Sequence, residues 1–146
     1  SRSMPDTPYR KILIAHDGSE GARKALSTAL GLAKLMDAEL HMVSVEELPQ
    51  FASSLDEIDE EKREQNHRFA RVIREARREA EAAGARLSAR VVAGHAVPTI
   101  VELLEREGFD LLAVGFMGHS ALYNRLIGST TDRLVELAPC PVLVVK

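Results

Sequence analysis

Residues able to do chemistry gather at two places in the chain. The first is His16-Asp17-Gly18-Ser19, and the second runs from Gly115 through Gly118 to Gly128-Ser129-Thr130. Gly115 and Gly118 lack a Cβ, so main-chain N–H groups there can approach a phosphate closely. Gly128-Ser129-Thr130 opens a helical pattern. Unpaired N–H groups and the positive dipole end at such a point favour an anion, and the two hydroxyls add donors. Asp17 is a single carboxylate of the kind that shares a divalent cation, Mg²⁺ or Mn²⁺, with phosphate oxygens. Each feature also has an ordinary structural use: tight turns for the glycines, helix capping for Asp17 and Ser129. Spacing alone leaves both accounts open.

Other chemistries find less support. The five histidines (His16, His41, His67, His95, His119) include no pair at i,i+4 and show no metal-ligand spacing, which disfavours a protein-only metal site. His95 follows an apolar run and reads as a loop residue near a crevice rather than a base. Cys140 is the sole cysteine, so neither an intrachain disulfide nor a Cys-based zinc cluster is available. Between two prolines it reads as a small buried hydrophobe. Ser19 and Ser120 lack the Gly-x-Ser-x-Gly elbow of hydrolases, and no Gly-x4-Gly-Lys-Ser/Thr loop is present. Arg71, Arg74, Arg77 and Arg78, interleaved with Glu, read as a solvated helix face rather than a nucleic-acid patch.

The elements that must position these residues follow from the apolar pattern. Lys11 to Ala15 is a short apolar run ended by the His16-Asp17-Gly18-Ser19 turn, and reads as a buried strand. A helix begins at Ser19, with apolar positions Ala22, Ala25, Leu26, Ala29, Leu30, Ala33 and Leu35. Leu40 to Val45 is a second strand. The acidic stretch from Glu46 to about Glu64 reads as a surface loop or frayed helix start. A helix follows with its stripe at Phe69, Val72, Ile73, Ala76, Ala80 and Ala83, stopped by Gly84. Leu87 to Ala93 is a third strand. A helix starting near Pro98 is stopped by Gly108. Asp110 to Gly115, a helix from about Ser129 to Leu137, and Pro141 to Val145 complete the series. Strands apolar on both faces, alternating with helices, predict an α/β doubly wound parallel sheet with helices on both sides. Ligands of such sheets bind beyond the carboxyl ends of the strands where the strand order reverses. Both chemistry-bearing segments fall at such ends.

Composition agrees with one domain. The chain has 146 residues, 45% of them apolar, with no Trp, two Tyr and four Phe, so the core must be aliphatic. Nineteen basic against twenty-two acidic residues give a net charge of −3, unlike the strongly basic surface of a polyanion binder. No run approaches the length of a membrane span, and no secretory signal precedes the first strand. The profile is that of a soluble, cytoplasmic protein. Ser1-Arg2-Ser3 ahead of Met4 reads as an expression scar, residues 1–8 as a flexible leader, and 9–146 as one domain.

The pattern Gly115-x2-Gly118-x9-Gly128-Ser129 resembles the nucleotide-binding signature of the universal stress protein family. The first strand with Asp17-Gly18-Ser19 and the closing Pro139-Cys140-Pro141-Val142-Leu143-Val144-Val145 match as well, so the resemblance runs from Tyr9 to Lys146. It implies a five-stranded parallel sheet in the order 3-2-1-4-5, Rossmann-like and of the adenine nucleotide alpha hydrolase type, and a homodimer that pairs its terminal strands. Such pairing would cover an apolar sheet edge. By the same resemblance Ala15, Val45 and Val114 line an adenine pocket, Asp17 lies near ribose, phosphates and a divalent ion, and Gly115, Gly118, Gly128, Ser129 and Thr130 hold ribose and phosphate. The chain departs from the family at Phe116-Met117, where small or polar residues are usual, and at His119, where Lys or Arg is common. Protonation of His119 below about pH 6.5 restores a positive charge, and Arg125 offers a bidentate phosphate donor in the same loop.

The resemblance implies an ATP-, ADP- or AMP-binding stress-response protein with at most slow ATP hydrolysis, since no base for an attacking water can be named. A nucleotide-independent dimeric interaction module and a flavodoxin-like flavin electron carrier are the alternatives. The first predicts no effect of nucleotide on stability, and the second a yellow protein with aromatic residues stacked on the ring.

Overall fold

Strands that are apolar at successive positions need cover on both faces, and the computed structural model shows how they receive it. It describes residues 9–47, 55–116 and 127–146. The elements are β1 (Lys11–Ala15), α1 (Glu20–Met36), β2 (Glu39–Glu46), α2 (Leu55–Ala82), β3 (Leu87–Ala93), α3 (Ala96–Glu107), β4 (Leu111–Gly115), α4 (Ser129–Leu137) and β5 (Val142–Val145). They form one five-stranded sheet in the order β3-β2-β1-β4-β5, parallel throughout. The fold is the α/β sandwich expected from the sequence.

Side chains alternate across each strand, so every central strand contributes to two cores. Ile12, Ile14, Met42, Leu111 and Ala113 pack under α1 and α2 with Leu26, Leu30, Val72 and Ala76. Leu13, Val43, Leu112 and Val114 pack on the other face with Ile100, Leu103, Leu104 and Leu134 from α3 and α4. The buried residues of α1 recur at Ala22, Ala25, Leu26, Ala29, Leu30 and Ala33, the spacing of one helical stripe. Leu35 does not join them and is 81% exposed. Two residues beyond Ala33 is a turn of about 200° around the helix, which carries Leu35 to the outer face.

The stretch from Glu46 to about Glu64, expected as a surface loop or frayed helix start, is helical from Leu55. The first turns of α2 carry exposed Glu57, Asp59, Glu60, Glu61 and Glu64, and among the side chains described the first buried one is Phe69. Good helix formers and acidic residues near the positive dipole end favour these turns. Gln65 adds a tether, donating from Nε2 to the Glu47 carbonyl at 2.6 Å. Pro98 lies inside the first turn of α3, which starts at Ala96. The N–H it lacks would have no helical partner there. Among the described residues no helix is long and apolar enough to cross a membrane. The leader expected over residues 1–8 lies outside the described residues.

Candidate functional site

A cavity of about 270 Å³ opens where the carboxyl ends of β1 and β4 meet, the point at which strand order reverses. Ala15, Asp17, Val45, Val114, Gly115, Gly128, Ser129 and Thr130 all line it, so the structure brings together two stretches about a hundred residues apart. Gly118, His119 and Arg125 lie outside the described residues. Val43, Val45, Ile100, Val114 and Leu134 give the cavity an apolar wall, while Asp17, Ser129 and Thr130 supply polar groups. An apolar wall with a few directed polar groups suits a small planar ligand with a polar tail.

The β1 end is built from a series of local acceptors. His16 is 4% exposed and its main chain is held on both sides. Its N–H donates to the Val43 carbonyl at 2.9 Å, and its carbonyl accepts from the buried Ser44 hydroxyl at 2.7 Å. The His16 ring Nδ1 accepts from the Gly18 N–H at 3.0 Å. Asp17 Oδ1 accepts from the Ser19 N–H at 2.9 Å, and Ser19 Oγ caps α1 by accepting from the Ala22 N–H at 3.1 Å. Gly18 makes this turn at φ +87°, a conformation that costs a residue with a Cβ. Burial lowers the His16 pKa below the ordinary histidine value, with Arg23 adding to the shift and Asp17, Glu79 and Glu75 opposing it. The imidazole is therefore neutral at pH 7, as an acceptor Nδ1 requires.

The β4 end is built for close approach. A Cβ on Gly115 would stand 2.6 Å from the Gly21 carbonyl carbon and 2.8 Å from its oxygen. The absent side chain thus lets the first turn of α1 press onto β4, a use distinct from the phosphate approach expected of this glycine. Thr131 Oγ1 donates to the Gly115 carbonyl at 2.7 Å, fixing α4 to the strand end. The Gly128 N–H donates to the Phe116 carbonyl at 2.9 Å, and the Phe116 N–H to the Val145 carbonyl at 2.9 Å. These bonds tie the end of β4 to the start of α4 and to the end of β5. Gly128 is the N-cap of α4 and no side chain among the described residues caps that helix. Ser129 and Thr130 are exposed at its first turn.

The first turn of α3 also borders the cavity, through Ala96 and Ile100. Its N-cap His95 makes no side-chain cap bond. Glu47 supplies one instead, Oε1 accepting from the Ala96 N–H at 3.1 Å. His95 is exposed, with Nδ1 3.8 Å from the same carboxylate oxygen. Cys140 is half-buried, and burial raises its pKa, with Asp110 adding to the effect and the Leu112 backbone opposing it. No group of three His, Cys, Asp or Glu able to hold a metal occurs among the described residues. The sequence marks His16 and Ser19 only as part of the turn after β1 and does not single out Thr131; all three line the cavity. Signals existed: His16 continues the Ile12, Ile14 alternation onto a polar residue, and Thr131 lies one helical step before buried Leu134.

Comparison with known proteins agrees with this arrangement. The family profile described as the universal stress protein family matches residues 8–146. A universal stress protein of Methanocaldococcus jannaschii, MJ0531, is 32% identical over 143 residues, covering 94% of this chain and 82% of its own. Among solved structures, a universal stress protein UspA from Lactobacillus plantarum shares the fold with a TM-score of 0.85 at 22% identity, over 97% of this chain and 100% of its own. A universal stress protein in complex with cAMP aligns with a TM-score of 0.71 at 28% identity, over 94% and 97% of the two chains. Profile, relatives and sheet order converge: this chain belongs to the universal stress protein family.

Proposed function

We propose that the protein binds an adenine nucleotide, ATP or its di- or monophosphate, in the cavity between β1 and β4, and acts as a homodimeric stress-response regulator rather than an efficient enzyme. The observation that carries this reading is the start of α4, which no side chain among the described residues caps. Gly128, Ser129 and Thr130 border the same cavity as Ala15, Val45 and Val114, so an anion-seeking helix end and an apolar wall share one space. In this reading the base rests on the aliphatic wall, and the phosphates meet the N–H groups and hydroxyls at the start of α4. Gly118, His119 and Arg125 belong to the same proposed loop. The cAMP complex of a relative 28% identical to this chain supports an adenine nucleotide as the ligand class.

Asp17 is the one carboxylate among the described lining residues, and it suits a divalent ion that also takes phosphate oxygens. Such an ion, Mg²⁺ or Mn²⁺, would neutralise phosphate charge beside Asp17. Among the described lining residues there is no Phe, Tyr or Trp, which favours adenine over a flavin needing aromatic partners. For the homodimer, β5 is a sheet edge whose four residues are all only partly covered. Val135 and Leu137 on the preceding α4 are exposed as well. Such an edge is a ready surface for strand pairing.

Calorimetric titration of ATP, ADP, AMP and FMN, with and without Mg²⁺, into wild type and Gly118→Val tests the reading. Micromolar binding of an adenine nucleotide that the variant loses is the expected result. No heat with any of them, using protein free of carried-over ligand, sinks it in favour of the nucleotide-independent module. Sedimentation of the same samples tests the dimer.

A further inference from the structure

We propose that His16 is a positioning residue for the nucleotide site: its ring, acting through the turn at 16–19, aims the Asp17 carboxylate into the cavity. This role rests on the nucleotide reading and goes beyond it, by assigning a function to a buried imidazole that does not itself have to touch the ligand.

The inference stands on the geometry of the turn. A histidine buried at the end of an apolar strand must spend its polar atoms or pay for desolvating them. Here Nδ1 is spent on the Gly18 N–H at 3.0 Å. The ring proton must then sit on Nε2, because a donor N–H faces Nδ1. The bond spans two residues, and the next residue repeats the pattern, Asp17 Oδ1 accepting from the Ser19 N–H at 2.9 Å. Two overlapping bonds of this kind fix successive residues, the geometry of an Asx-turn with imidazole in place of the first side-chain carbonyl. Behind the ring, the His16 carbonyl and N–H are tied to β2 through Ser44 and Val43. In front, Gly18 sits at φ +87° with Val72 of α2 so near that an added Cβ would stand 3.3 Å from its Cγ2. Asp17 lies between these fixed points, exposed and on the cavity wall. Loss of the Nδ1 acceptor would free Gly18, the residue with the widest choice of backbone conformations, and let Asp17 turn away from the cavity.

The test uses calorimetric titration of MgATP into wild type, His16→Asn, His16→Leu, Asp17→Ala and the double variant His16→Leu/Asp17→Ala, with thermal unfolding of each. Asn places an amide oxygen where it can accept the same N–H. His16→Leu is expected to weaken MgATP binding about tenfold, and His16→Asn to stay within about threefold of wild type. In the Asp17→Ala background His16→Leu should cost no further affinity, since there is no carboxylate left to aim. Equal losses in the Asn and Leu variants, or a Leu penalty that persists without Asp17, overturn the role. Long-range ¹H–¹⁵N spectra of the wild-type ring at neutral pH must show the proton on Nε2, and a proton on Nδ1 overturns it as well, whatever the variants' folding. Failure of wild type to bind MgATP removes the nucleotide reading and this role with it, and is told apart by the ring spectrum, which reports on the turn without any ligand.

Discussion

Of the three helix N-termini that border the cavity, those of α1 and α4 are finished in opposite ways. At α1, side chains take up the local donors in succession: His16 for Gly18, Asp17 for Ser19, and Ser19 for Ala22. At α4, the N-cap is a glycine, and no side chain among the described residues accepts from the first turn. Both helices carry the same dipole, so the difference lies in what is left to offer. α1 presents a carboxylate to the cavity, while α4 presents donors. Under the proposed function, a ligand carrying both phosphate and a divalent ion would match that division, its anionic oxygens toward α4 and the cation toward Asp17. The third helix at the cavity, α3, sides with α1, because Glu47 reaches across to cap it.

The comparison can be broken from either side. Giving α4 a cap of its own should have the largest effect. Gly128 has φ −64° and ψ 148°, a conformation open to any residue, so Gly128→Asp should fold and place its carboxylate over the first-turn N–H groups. A loss of roughly a hundredfold in ATP affinity is expected from a carboxylate competing with phosphate, read by calorimetry. An unchanged affinity would mean that α4 is not the phosphate end. Gly115→Ala acts on packing instead. Its methyl group meets the Gly21 backbone rather than a flexible side chain, and urea unfolding should show a loss of about 1–3 kcal/mol. Smallest is removal of the α1 cap: Ser19→Ala should lower stability by about 1 kcal/mol. If the urea midpoint does not move, α1 is not closed by its own side chains and the contrast with α4 fails.

The sequence reveals most where burial dictates residue type. The β1, β2 and β4 strands are readable because both their faces are covered, and the doubly wound order follows from alternation with helices. The start of α4 at Ser129 is legible because Gly128 breaks the chain ahead of a stripe that includes Thr131 and Leu134. Where no core imposes a period, reading fails. From Asp59 to Arg68 none of the described side chains of α2 is buried, and helicity there follows from propensity and the dipole, which leave no stripe to detect. Leu35 misled because a leucine near the end of a stripe looks like part of it until its angle is counted. The site divides the same way. Glycine spacing and the strand ends marked the cavity, but the acceptor role of the His16 ring depends on a turn that only coordinates reveal.

Gly115 has a consequence for how sequence change in this fold should be weighed. Because the α1 backbone occupies the space a side chain would need, selection for folding alone would keep glycine there, even in a descendant that had abandoned its ligand. Persistence of that residue therefore carries no information about binding. Gly128, whose backbone angles are open to any residue, is under the proposed function the position whose drift would mark a lineage in which the cavity had fallen silent.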